Sequence, residues 1–387
     1  MKSNQWGMLF VFTMLVSASV AFAAEVRFEK IVIDADSKGE AAAVVDVNRS
    51  GHLSIVCGES WYEPTNSTLR QWQKHPLRKI EYKSEYFDDF GDLVMDVNGD
   101  SYRDIVSGGW FCKSLSWYEN PGKAGGEWKA HLIDSPGNIE TLRLWDVTGD
   151  GHPAVVPNSP PGPVVWYELK RDAVGKGTGE FIKHQIAPKG GGHGMGFGDV
   201  NSDGRADIIT TTGWWEAPVD RRAGEWKFHA EFNFGHASIP IQVYDVNGDG
   251  LADIIYGNAH GYGLYWMEQK KGPNNERQWE RHEIDKSWSQ AHVVELADID
   301  GCGHPELVTG KRYRAHNDGD PGGKDPCCLY YYTFDKTGKF TRYTIDEGNK
   351  VGCGIDTIIT DFNGDGRLDI ICPGKGGLYL FMNQGVK

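Results

Sequence analysis

The chain reads as an all-β protein, a seven-bladed β-propeller with calcium-binding loops, and three observations carry that reading. An aspartate-led loop followed by a short apolar strand recurs seven times, beginning at Asp46, Asp96, Asp146, Asp199, Asp245, Asp298 and Asp361. The copies lie ~50 residues apart, the length of one small β unit in a propeller or solenoid. Aligned copies show four strands each, and the first strand after the N-terminal leader supplies the fourth strand that the last copy lacks.

Taken in chain order, residues 1–23 read as a secretory signal. Lys2 supplies the charge, 7–20 the apolar stretch and Ala21-Phe22-Ala23 a small-residue cleavage site. No later stretch is long and apolar enough for a membrane helix. The expectation is therefore a secreted or periplasmic chain without membrane insertion, whose residues 24–387 form a single propeller domain.

Next, Phe28–Asp34 matches the fourth-strand pattern, and the last repeat ends after its third strand, Leu378–Phe381. The N-terminal strand should complete the seventh blade and close the ring, removing an exposed edge. Within a repeat, an apolar strand such as Gly91–Met95 runs into the loop. A second strand such as Asp207–Thr210 follows it. A third carries aromatics, as in Leu115–Glu119 and Leu264–Glu268, and a fourth reads Trp128–Asp134 or Trp279–Asp285.

The loops have the ligand pattern of a compact calcium site. Oxygen-bearing side chains stand at positions 1, 3, 5 and 9, position 7 offers its carbonyl, and glycine at position 6 permits the turn. Four loops have the full set: Asp96, Asn98, Asp100 and Asp104; Asp199, Asn201, Asp203 and Asp207; Asp245, Asn247, Asp249 and Asp253; Asp361, Asn363, Asp365 and Asp369. The first loop carries Ser50 and Ser54, the third Ala154 and the sixth Cys302. About four structural calcium ions and three vestigial turns follow, against the plainer view that all are Asn-Gly turns.

Net charge is −14, which argues against a nucleic-acid partner, although much of it sits in the loops. Cysteine count is odd, 7, so at least one thiol is unpaired; a bridge from Cys353 to Cys327 or Cys328 is open.

Strand direction sorts the remaining loops. Gly108–Leu115, Pro157–Val164, Gly213–Trp226, Gly257–Leu264 and Gly310–Leu329 should share the face opposite the calcium loops. His131, His184, His229 and His282 recur at one fourth-strand position, and His52, His152 and His304 at loop position 7, so these are structural. His193, His236, His260, His292 and His316 remain on the loop-rich face, and only His75 does not. Titratable groups gathered on one concave face mark a candidate site. Thr141, Arg143, Gln242, Glu295 and Asp356 should line the central channel, with Gly194 and Gly196 leaving room. Trp110, Trp214, Trp215 and Tyr262 are aromatic platforms for a sugar, or else blade packing.

These loops and strands resemble FG-GAP/VCBS repeats, the calcium-loop propeller also found in integrin α chains, over nearly all of the chain after the signal. Gly192-His193-Gly194-Met195-Gly196-Phe197-Gly198-Asp199, Gly213-Trp214-Trp215-Glu216-Ala217-Pro218 and His260-Gly261-Tyr262-Gly263 resemble a narrower group of secreted propellers. So do Ser289-Gln290-Ala291-His292 and Gly310-Lys311-Arg312-Tyr313-Arg314-Ala315-His316. That group includes aldos-2-ulose dehydratase and polysaccharide lyases acting on rhamnose–glucuronate linkages. The resemblance implies a carbohydrate substrate or ligand and a lyase or dehydratase working by β-elimination.

Such chemistry needs a cation against the acid group, a base and a general acid. Arg312, Arg314, Lys311 and Arg143 are candidates for the first role; His193, His260, His292, Tyr262 and Tyr313 for the others. Trp110, Trp214, Trp215, His236 and His316 would contact the sugar. Several histidines together could instead hold a catalytic divalent metal, zinc being the natural partner of imidazole. The alternative is a non-catalytic, calcium-dependent propeller that binds carbohydrate or protein.

Overall fold

One register repeats through the molecule. In the computed structural model, which describes residues 25–387, the residue before each loop aspartate pairs with loop position 9. The pairs are Val45 with Ser54, Met95 with Asp104, Trp145 with Ala154, Gly198 with Asp207, Tyr244 with Asp253, Ala297 with Glu306 and Thr360 with Asp369. The signal-like stretch 1–23 lies outside the described residues.

The inner strands of blades 1 to 7 are Ala43–Val45, Asp92–Met95, Thr141–Trp145, Met195–Gly198, Gln242–Tyr244, Ala291–Ala297 and Ile358–Thr360. Each leads a four-stranded antiparallel sheet, which makes seven blades and almost no helix. In the seventh sheet the outermost strand is Val26–Asp34, paired with Leu378–Val386. Among the described residues no helix is long and apolar enough to cross a membrane. All seven cysteines are free thiols, so Cys353 is not bridged.

Every loop is folded on its first aspartate. The backbone N–H five residues on, from Gly51, Ser101, Gly151, Gly204, Gly250, Gly303 and Gly366, donates to that carboxylate's Oδ2 at 2.7 to 3.1 Å. In the four full loops the position-3 asparagine donates to the position-5 aspartate, as from Asn363 to Asp365 at 2.9 Å. The position-9 carboxylates Asp104, Asp207, Asp253 and Asp369 are buried. One oxygen of each accepts the position-2 N–H and the other accepts an N–H of the third strand or the loop that follows it. Each oxygen keeps a second lone pair.

The blades are stapled at the rim by a repeated triplet. Third-strand Trp61, Trp117, Trp166, Trp214 and Trp266 stack on fourth-strand His75, His131, His184, His229 and His282, with ring centroids 3.9 to 4.6 Å apart. A glutamate two residues after each tryptophan holds the imidazole Nε2, as Glu216 holds His229 at 2.7 Å. His75 is therefore the fifth member of the structural set. The stacked pair buries apolar ring surface while the carboxylate satisfies the polar edge.

Two further departures from the sequence reading bear on the site. Gly213 pairs with Thr210 across a tight turn, so Gly213–Glu216 is a strand, and the loop after it lies on the face of the aspartate loops. Arg222 of that loop accordingly reaches Asp150 of the third aspartate loop at 2.7 Å. The linker between blades 1 and 2 forms an extra hairpin, Tyr82–Lys83 with Tyr86–Phe87, which no sequence signal announced.

Candidate functional site

Residues six before the loop aspartates meet at one end of the ring: Glu40, Phe90, Glu140, His193, Ile239, His292 and Ile355. On a strand rising ~3.3 Å per residue, they stand some 20 Å from the loops. Above them opens a cavity of about 510 Å³, walled by Tyr86, Phe90, Trp110, Phe111, Pro160 and Pro161 and floored by Glu140, His193, His236, His260, Arg312 and His316. Tyr86 comes from the unforeseen hairpin, whereas Phe90 stands at the repeat position of blade 2.

Five imidazoles converge here from three blades. His193 precedes the inner strand of blade 4, His236 the inner strand of blade 5, and His260 sits in the turn before Tyr262–Lys271. His292 lies in the inner strand of blade 6, and His316 in the loop after Glu306–Lys311. Ring centroids are 4.4 Å apart for His193 and His260, 4.1 Å for His236 and His260, 5.4 Å for His193 and His292, and 4.1 Å for His260 and His316. Gly194 and Gly196 make this approach possible. A Cβ at Gly196 would stand 2.2 Å from the Ile241 carbonyl oxygen, and Gly194 has φ +134° with Ala237 against it. They let two strands touch and do not open space in the channel.

The tautomers are set by the backbone. Nδ1–H of His193 donates to the Ala237 carbonyl at 3.0 Å, and Nδ1–H of His292 to that of Gln290 at 3.2 Å. The Nε2 atoms of His193, His260 and His292 are buried; those of His260 and His292 have no hydrogen-bond partner, and that of His193 faces only Glu140. One ligand nitrogen from each of the three lies within 4.8 Å of the others. Burial, then the Arg312 charge, holds His292 well below the usual imidazole range. Burial, then His193 and His316, takes His260 down to about 2. Burial alone would lower His193, but Glu140, whose Oε1 lies 3.3 Å from Nε2, raises it. His316 is oriented by Asp320, 2.7 Å from its Nδ1.

Arg312 is buried and already committed. It pairs with Glu40 at 2.5 Å, lies 3.6 Å from Glu140 and stacks over Tyr86 and Phe90. The Lys375 ammonium, 3.2 Å from the Tyr86 ring centroid, and Arg312 stand against the two carboxylates, and Glu140 also faces His193.

Of the residues singled out from sequence, the cavity is lined by His193, His236, His260, His316, Arg312 and Trp110, and His292 lies buried behind His193 with ring centroids 5.4 Å apart. Others fall elsewhere. Trp214 is fully buried on His229, and Trp215 is half-buried against the core shared by blades 3 and 4, so neither lines the cavity. Tyr262 is exposed and donates to Asp325 at 2.5 Å, and Tyr313 lines a separate crevice beside Cys353 and Lys375. Arg314 stands at the rim, paired with Glu85 and Asp318. Lys311 is buried and donates to the carbonyls of Gly322 and Gly323, which ties down the blade-6 loop.

Arg143 belongs to a second ring, three residues before the loop aspartates, which includes Gln242 and Glu295 and lines the axial channel. It bridges Asp356 at 2.6 Å and Glu295 at 3.3 Å and donates to the Ile239 carbonyl at 2.7 Å. Replacing Arg143 with alanine would strand two buried carboxylates and is expected to cost about 3–5 kcal/mol. A urea midpoint within error of wild type would rule out this structural role.

Sequence reasoning missed Glu40, Glu140, Tyr86, Phe90, Phe111 and Asp320. For Glu40, Glu140 and Phe90 a signal existed, because each shares the repeat position of His193 and His292.

Among known proteins, an FG-GAP-like repeat model matches residues 146–210 and 245–309. No curated protein matches. Among solved structures, the Tc holotoxin pore of Photorhabdus luminescens is 14% identical over 77% of this chain, with a TM-score of 0.35. This chain spans 14% of that toxin chain. The BBS1N–ARL6DN complex contains a chain 8% identical over 92% of this one and 100% of its own length, with a TM-score of 0.48. The seven sheets identify the chain as a seven-bladed β-propeller, two stretches of which match an FG-GAP-like repeat.

Proposed function

We propose that the cavity is the active centre of a carbohydrate lyase or dehydratase that breaks a C–O bond β to a carboxylate or carbonyl. A divalent cation, zinc in preference, would be held by His193, His260 and His292. The carrying observation is the set of three buried Nε2 atoms, those of His260 and His292 without partners and that of His193 facing Glu140 alone, two of them on rings whose Nδ1–H is tied to a backbone carbonyl. Such anchoring is how proteins orient imidazole ligands, and neutral nitrogen donors suit zinc. When bound, the ion would polarise the sugar's acid or keto group and stabilise developing enolate charge.

The chain's own groups would do the rest. His316, held by Asp320, presents its other nitrogen for proton transfer. His236, lowered by burial and then by His193, is neutral and able to take a proton. Trp110 and Phe111 give flat apolar walls against which a sugar ring can lie.

The test is to measure bound metal in the purified protein and incubate it with acidic polysaccharides, including rhamnose–glucuronate polymers, and with keto-sugars. Rising ultraviolet absorbance from an unsaturated product, dependent on bound zinc, is the expected result. A metal-loaded protein that produces nothing but retains the sugars would shift the reading to a binding propeller.

Calcium in the four full loops belongs to the same reading. Each site filled at about 100 times its Kd would add about 2.7 kcal/mol. Chelation should lower the unfolding temperature and calcium, but not magnesium, should restore it. A melt indifferent to both would refute calcium binding.

A further inference from the structure

The sixth loop has a donor set that does not suit calcium. Positions 1 and 3 are Asp298 and Asp300, but position 5, an aspartate in the four full loops, is Cys302. The loop is not collapsed. Gly303 N–H donates to Asp298 Oδ2 at 2.9 Å, Cys302 N–H to Asp300 Oδ1 at 2.8 Å and Ile299 N–H to Glu306 Oε2 at 2.9 Å. These are the bonds of the full loops.

What differs is where the free donors lie. Ligand atoms of Asp298, Asp300 and Cys302 all fall within 4.8 Å of one another. The Cys302 sulfur is 3.6 Å from the His304 carbonyl oxygen, the carbonyl that position 7 offers to an ion. Asp298 Oδ1 is buried with no hydrogen-bond partner. The degenerate loops of blades 1 and 3 have closed that same oxygen, which accepts from Ser50 at 2.9 Å and from Gly149 at 2.8 Å. The full loops from Asp199, Asp245 and Asp361 close it as well, whereas that from Asp96 leaves it open. A buried carboxylate oxygen without a donor is costly unless a cation takes it.

We propose that the blade-6 loop binds a thiophilic divalent cation of the zinc–cadmium class through Asp298, Asp300 and Cys302. Calcium prefers oxygen throughout, whereas a thiolate selects softer ions. On binding, the sulfur–metal bond forms as the thiol proton leaves to solvent. The site is independent of the histidine cavity: His292 and Asp298 stand at opposite ends of one inner strand, roughly 20 Å apart.

Cadmium provides the test, because its bond to sulfur gives a charge-transfer band in the ultraviolet that imidazole and carboxylate do not. Metal-free protein would be titrated with cadmium in excess calcium, alongside Cys302→Ser, Cys302→Asp, Cys112→Ser and the His193→Ala/His292→Ala pair. Cys112 is the other exposed thiol. The band is expected in wild type, in Cys112→Ser and in the cavity variant. Cys302→Ser should lose it, with affinity reduced by at least about tenfold, the loss that even an outer-sphere change causes. Cys302→Asp should lose the band and gain a calcium-dependent rise in unfolding temperature. No band in folded wild type, or a band that survives Cys302→Ser, would overturn the proposal. Either result leaves the cavity reading untouched.

Discussion

Replacing His193 and His292 together with alanine is expected to remove the cavity metal and reduce elimination to background. Both rings aim a buried nitrogen at the cluster, that of His292 without any partner and that of His193 facing only Glu140, so the remaining His260 cannot hold an ion alone. Losing the group that stabilises enolate charge should cost at least about 10³-fold in turnover, as deletion of a single preorganised donor already costs 10²–10³. Metal content and initial rate should fall together while unfolding stays cooperative. A double variant that keeps its zinc would place the ion elsewhere, and one that loses zinc but keeps its rate would remove the ion from the chemistry. Glu140→Gln separates the two effects of the neighbouring carboxylate. It keeps the shape but removes the charge that raises His193.

Deleting residues 26–34 should unfold the protein and not merely trim it. Val26 and Ile31 are buried, and Phe28 and Ile33 pack against the cores on either side of the seventh sheet. At about 1.5–3 kcal/mol for each buried apolar side chain, the strand contributes an amount comparable with the whole stability of a typical domain. The deletion would also strip Leu378–Val386 of its ladder and expose an edge that invites aggregation. A soluble truncated chain with an unchanged urea midpoint would show that this strand is dispensable.

The fold was readable because the repeat writes the same hairpin each time. The aspartate at position 1 needs an N–H five residues on, position 9 needs the backbone at both ends of the loop, and those needs leave letters in fixed places. The five cavity histidines were readable by subtraction, once His131, His184, His229 and His282 were recognised as recurring. His75 was equally within reach, since Trp72 stands three residues before it as Trp128, Trp226 and Trp279 stand before His131, His229 and His282. Trp214 and Trp215 were misjudged because a two-residue turn at Thr211 and Thr212 leaves no sequence signature long enough to end a strand. Tyr86 was not readable at all. It reaches the cavity through a hairpin in a linker that belongs to no repeat, and its placement depends on contacts such as Tyr86 Oη with the His316 backbone N–H at 2.5 Å. Local pattern cannot report a contact across 230 residues. Glu140 and Glu40 were within reach, since they share a repeat position with His193 and His292, but alignment has to extend past the strand to find them.

The seven positions that stand six residues before the loop aspartates amount to a set of addresses. Each is reached by a short rigid arm whose far end is held by an aspartate hairpin of constant register, so a substitution at one address leaves the other arms where they are. A new ligand group can therefore be written into the floor, at Ile239 or Ile355 for instance, without redesigning a loop. A ring of this kind could acquire or exchange its chemistry one letter per blade while its sheets and its aspartate loops stayed the same.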